Sequence, residues 1–239
     1  YSIVTISIVT ALLPHLSRLA IAKKVDEVKD QLINAIKIVG VATIPSAIAF
    51  FLFGPLITPV LFLGISMDDS RYIGLVLSAL SFGLVAFSIN LVLIRGFNAF
   101  EDTRTQVASI LVINVISVGL SYLFLSVLDS QYVTIGLGAA FSISYIVGLF
   151  VTLYLLKKHI GKLSIFEFVP HHLKVFGAAL LAMLPIYAVV HFAEWSSTET
   201  PLGIRVLRLT LVLALSGVGY IFTARWLGVK EISALGSVA

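Results

Sequence analysis

Six stretches of this chain, about 38–63, 72–94, 107–128, 132–156, 175–192 and 204–227, are apolar almost without interruption. A helix needs roughly 20 such residues to cross the ~30 Å hydrocarbon of a bilayer, and each stretch approaches or exceeds that length. Transmembrane strands do not fit these runs, since a strand crosses in about ten residues of strict alternation. Residues 1–16 read as the last part of a further helix. The chain opens inside that apolar run without an initiating Met, so it is expected to be a piece of something longer. The fold class that follows is an all-α integral membrane protein. It is a polytopic helical bundle built from the end of one helix plus six transmembrane helices.

Composition agrees. Hydrophobic residues make up 59% of the chain and charged residues 12%, with a mean hydropathy of +1.08. A soluble domain needs more polar surface than this to cover its core. The pI near 9.3 does not indicate nucleic acid, because the basic residues sit in loops that flank helices rather than in one patch. With no cysteine, disulfides, thiol nucleophiles and Cys metal sites are excluded.

The basic residues also orient the helices. Segments 17–37, 95–106, 157–174 and 225–239 hold 13 of the 16 Lys and Arg residues, and only Arg71, Arg205 and Arg208 fall on the opposite side. The positive-inside rule places the first set in the cytoplasm. Within it, Ile21, Val25, Val28, Leu32, Ile36 and Val39 recur at helical spacing. Residues 18–37 are therefore expected to be an amphipathic helix at the cytoplasmic interface, running into the first full span. Pro45, Gly54, Pro55 and Pro59 predict a kink and a broken outer end in that span. The other divisions are 1–17, the end of a helix; 38–156, four helices; 175–227, the last two helices; and 228–239, a cytoplasmic tail. Arg205 and Arg208 are expected to pair with Glu194 and Glu199.

No catalytic constellation is present. His15, His159, His171, His172 and His191 show no metal-ligand spacing, and there is no P-loop or Ser–His–Asp arrangement. The reading is therefore not an enzyme, with no metal. Polar residues inside spans are costly in lipid and should face protein or water. Asn114, Ser117 and Ser121 share one helix face, as do Gly138, Ser142, Tyr145 and Thr152, and Ser78, Ser81 and Ser88. Close packing explains the small residues better than a transport path, whereas Asn114 fits either. Asp102 is placed to cap the helix that follows it.

The segment 91–106, LVLIRGFNAFEDTRTQ, resembles a loop in the MurJ/MviN family of bacterial lipid II flippases, whose pattern is roughly R-x-F-Y-A-x-x-D-T-K/R-T-P. Arg95, Phe97, Ala99, Asp102, Thr103, Arg104 and Thr105 match it, while Asn98 and Gln106 depart from it. ALLPHLSR at 11–18, I-P-S-A at 44–47 and Gly136–Ser142 extend the resemblance along the chain. Drug antiporters of the same superfamily carry a similar loop, but the longer spacing between Arg95 and Asp102 favours the lipid II branch.

The resemblance implies the second lobe and last two helices of a fourteen-helix flippase in the bacterial cytoplasmic membrane. Such a flippase carries lipid II, an undecaprenyl-linked cell-wall precursor, to the outer leaflet by alternating access. It implies a central cavity, for which Lys37, Arg18 and Asn114 are the candidates here, since a pyrophosphate needs cations when it leaves bulk water. Arg95, Asp102, Thr103 and Arg104 become the candidate gating loop, and the last two helices a groove for the prenyl tail, with Leu207, Leu211, Leu215 and Val218 on an apolar face. No cofactor is implied and the coupling ion is unassigned. A sodium site of the kind some relatives build needs a carboxylate one turn after Asn114, and position 118 is Val. Expected partners are lipid II, membrane lipids, and cell-wall synthesis or regulatory proteins, with no nucleic acid. The competing readings are another exporter of the superfamily, for oligosaccharide-lipids or drugs, and a non-transporting membrane scaffold.

Overall fold

The computed structural model describes residues 2–193, 195 and 200–232, with side chains from Thr5 onward. Among these residues seven α-helices follow one another: α1 Ser2–Ile21, α2 Val25–Leu61, α3 Met67–Ala99, α4 Thr103–Val127, α5 Val133–Ile160, α6 Val169–Phe192 and α7 Leu202–Trp226, with a one-turn 3-10 helix at Ile165–Glu167. The six from α2 to α7 are long and apolar enough to cross a membrane. Short connections make sequential helices alternate in direction.

The amphipathic segment 18–37 is not an element of its own. Its start completes α1, a tight turn follows in which Lys23 takes a positive φ of 57°, and the rest is the first third of the 37-residue α2. From Val28 onward its apolar stripe faces protein, whereas Ile21 at the end of α1 is exposed. Val28, Leu32 and Ile36 are fully buried against Leu16 of α1, Leu93 and Phe97 of α3, and Leu156 of α5. An amphipathic period is the same whether the apolar face meets lipid or neighbouring helices, which is why sequence could not decide between them.

The expected break near Gly54–Pro55 is likewise absent, because α2 runs on to Leu61. Each proline in a helix lacks the N–H that would bond the carbonyl four residues earlier. For two of the three prolines another helix supplies the donor. Tyr220 Oη of α7 donates to the Val41 carbonyl at 2.7 Å, the group that Pro45 leaves unpaired. Ser78 Oγ of α3 lies 3.1 Å from the Phe51 carbonyl freed by Pro55, and shares its one proton among that group, the Phe50 carbonyl at 3.3 Å and the Gly74 carbonyl of its own helix at 3.0 Å. Neighbouring side chains thus satisfy backbone groups that lipid cannot.

Small residues bring the helices close. Ser142 Oγ of α5 donates to the Ala79 carbonyl at 2.7 Å and accepts from the Gly83 amide at 2.9 Å. It bridges a donor and acceptor one turn apart on α3. A Cβ on Gly83 would come within 2.5 Å of the Ser142 Cα, so glycine is required at that crossing. Two cores result. One joins α1, the first part of α2, α3 and α5. The other joins the second half of α2 with α6 and α7. Val229 and Ile232 pack into the second, so the described start of the 228–239 tail is docked onto the bundle.

Candidate functional site

The polar residues of α1 and α2 converge where the two helices meet. Ser7 and His15 of α1 and Gln31 and Asn34 of α2 line a cleft of about 340 Å³, closed on its floor by Ile8, Leu12, Ala35 and Ile38. Ser7, Ala11, His15 and Arg18 follow one another at three- and four-residue spacing on α1, so they share a face. Arg18 therefore stands about one turn beyond His15 on the same face, exposed and outside the residues that line the cleft. Its Nε reaches back to the Pro14 carbonyl at 3.4 Å. Gln31 and Asn34 stand off the apolar stripe of α2, so sequence spacing alone gives them no partner. Their partner surface becomes visible only when α1 packs antiparallel to α2.

Lys37 points elsewhere. It is half-buried on a different face of α2, within electrostatic range of Glu167 and of His171 and His172 of α6. Asn114 lies on an exposed face of α4, with its Nδ2 donating to the Ile110 carbonyl of its own helix at 2.9 Å. The structure therefore does not bring Lys37, Arg18 and Asn114 together.

The buried intramembrane amide is instead Asn90, which sequence reasoning passed over. Its Nδ2 donates to the Ala86 and Tyr145 carbonyls at 2.9 and 3.2 Å. Its Oδ1 accepts from Thr152 Oγ1 at 2.7 Å, and Thr152 in turn meets Ser109 at 2.8 Å. This chain of polar groups pins α3, α4 and α5 together. The only sequence signal was a lone Asn within the apolar run 72–94.

The loop between α3 and α4 is a built joint. Asp102 caps α4, accepting from the Thr105 amide at 3.1 Å and from its hydroxyl at 2.6 Å. His159, near the end of α5, donates from Nε2 to the same carboxylate at 2.7 Å. The Phe100 ring stacks on His159 at 4.9 Å and 14°. The hydroxyl of Thr105, then its amide, then His159 hold the Asp102 carboxyl well below the usual carboxylate range. Thr103 and Arg104 are exposed beside this joint. Arg95 is half-buried one turn before it, and its Nε is buried without a hydrogen-bond partner among the described residues.

At the opposite end, Arg205 and Arg208 bind backbone and an aromatic ring. Arg205 Nε donates to the Thr200 carbonyl at 2.8 Å. Arg208 donates to the Trp195 carbonyl at 3.1 Å and lies 5.5 Å from that indole's centroid. The expected partners Glu194 and Glu199 lie outside the described residues.

An apolar cavity of about 520 Å³ opens between α2, α3 and α6, lined among others by Ile48, Phe51, Phe82, Phe176 and Leu180. The α7 stripe of Leu207, Leu211, Leu215 and Val218 does not line it and is exposed.

Comparison with known proteins bears on what these parts belong to. Residues 1–206 match the family model described as lipid II flippase MurJ. The chain is also similar to a protein of Buchnera aphidicola subsp. Baizongia pistaciae described as a probable lipid II flippase MurJ, with 24% identity over 231 residues. That match covers 94% of this chain and 43% of the relative, so the chain spans less than half of the relative's length. Six membrane-length helices and a family match over most of the sequence lead to one conclusion: the chain belongs to the MurJ lipid II flippase family, and is a multi-pass protein of the bacterial cytoplasmic membrane.

Proposed function

We propose that the protein works as a transporter and not as an enzyme, carrying the lipid-linked peptidoglycan precursor lipid II from the inner to the outer leaflet by alternating access. The observation that carries this reading, beside family membership, is the cleft between α1 and α2, where Ser7, His15, Gln31 and Asn34 are set among apolar residues, with the exposed Arg18 one helical turn beyond His15. A disaccharide–peptide head group offers hydroxyls and amides that Ser7, His15, Gln31 and Asn34 can bond, and its pyrophosphate needs a charge such as Arg18. The prenyl tail needs only apolar surface, which the cavity between α2, α3 and α6 supplies. In this reading the joint at Asp102 holds α4 and α5 as one body when the bundle rocks, and transport needs no cofactor on this chain.

The test is lipid II binding to purified variants. Arg18→Ala should weaken binding by about 1.5–3 kcal/mol, the worth of a hydrogen bond to a charged group, while Arg18→Lys retains a larger share of it. Lys37→Ala should have the smaller effect, because Lys37 lies off the cleft. Equal and full binding by Arg18→Ala would remove the cleft from the substrate path. Loss of transport with all binding intact would favour a scaffold.

A further inference from the structure

The end of α5 and the turn after it form a third, separate pocket. Phe150, Leu153 and Tyr154 of α5 make an apolar wall, and Lys157 stands at its top. Gly161 takes a positive φ of 67°, which turns the chain back. Lys162 and Phe166 then face the wall across a space of about 400 Å³.

We propose that this pocket binds the head group and upper acyl chains of an anionic diacyl phospholipid of the cytoplasmic leaflet. Depth is the first argument. Lys157 lies about 10 Å along the helix from Phe150 at ~1.5 Å per residue, so cations sit at head-group level and aromatics at the level of the chains. Phe150, Tyr154 and Phe166 are 55%, 75% and 77% exposed, leaving large apolar area for a lipid to cover. Charge is the second. Lys157 and Lys162 carry no ion pair or hydrogen bond among the described residues, and no carboxylate lines the pocket. The nearby Glu167 is already taken. It accepts from Lys29 Nζ at 3.0 Å and from the Ser164 amide at 3.1 Å. Burial pushes its carboxyl up, but the bonds from Lys29 and Ser164 outweigh that and hold it below the usual range. Two free ammonium groups over an apolar wall complement a phosphodiester with two chains. The site is distinct from the cleft between α1 and α2.

Native mass spectrometry of the detergent-purified protein tests this, with phosphatidylglycerol and phosphatidylcholine of identical chains. Phosphatidylglycerol should be retained in preference. The double variant Lys157→Gln/Lys162→Gln should bind it roughly tenfold or more weakly, with phosphatidylcholine unchanged. Lys23→Gln/Lys174→Gln, which removes two exposed cytoplasmic-side charges elsewhere, should bind as the unaltered protein does. Excess inorganic phosphate should leave the complex in place, because the chains hold it. Undiminished binding by the first double variant, equal loss in the second, or displacement by phosphate alone would each overturn the proposal.

Discussion

At Asp102 one carboxylate accepts from Thr105 twice and from His159 once, and so joins the start of α4 to the end of α5. Removing it exposes a helix N-terminus and strands the imidazole. Asp102→Ala is expected to melt at a lower temperature than the unaltered protein at neutral pH, by circular dichroism in detergent. The sign of the pH dependence follows from the lowered pKa of the Asp102 carboxyl. A depressed carboxylate contributes stability at pH values above its unfolded value of about 4 and loses it as pH falls. The gap between the two proteins should therefore narrow on acidification below about pH 4; a gap that widens there would contradict the assignment. The cap was legible because Asp-Thr-Arg-Thr is a local pattern. Its bond to His159 was not, since the two residues are 57 positions apart and meet only through the packing of α4 on α5. Asn90 illustrates the same limit: its residue type was visible, but nothing nearby in sequence names Thr152 as its partner.

Helices in this bundle are continuous where local rules would break them. Pro45 and Pro55 lie inside α2, and Tyr220 and Ser78 supply donors to the carbonyls they orphan. If that account of Tyr220 is right, Tyr220→Phe should cost about 1 kcal/mol in reversible unfolding, the usual worth of such a bond in a membrane bundle. Pro45→Ala restores the missing N–H, so the same Tyr220→Phe change should cost less in that background. Equal costs in both backgrounds would show that the hydroxyl does not serve the proline gap. Proline spacing made the gaps readable from sequence. The donors that fill them come from α3 and α7, which sequence placed in no particular contact with α2. The amphipathic period expected over 18–37 holds as one helix face only from Val25 on, since α1 ends at Ile21, and the counterpart of that face is Leu16, Phe97 and Leu156 rather than the membrane interface.

For the whole molecule, the six apolar runs carried the architecture, because bilayer thickness fixes helix length more tightly than any soluble core does. The site was less legible. Arg18 stands out in sequence for its charge, whereas the cleft one turn away from it depends on two helices pairing face to face. Orientation follows from the 13 basic residues on one side and can be read directly, since the chain has no cysteine of its own. In intact cells Thr103→Cys and Ser164→Cys should resist a membrane-impermeant thiol reagent while Ser130→Cys is labelled; the reverse pattern would invert the bundle. The most direct measurement of the central claim is the appearance of lipid II at the outer face of cells depleted of their own flippase and supplied with the intact protein. The account expects lipid II to become accessible to an external lipid II-cleaving toxin, and to do so less with Arg18→Ala at equal abundance. No accessible lipid II, with the protein inserted at normal abundance, would contradict it.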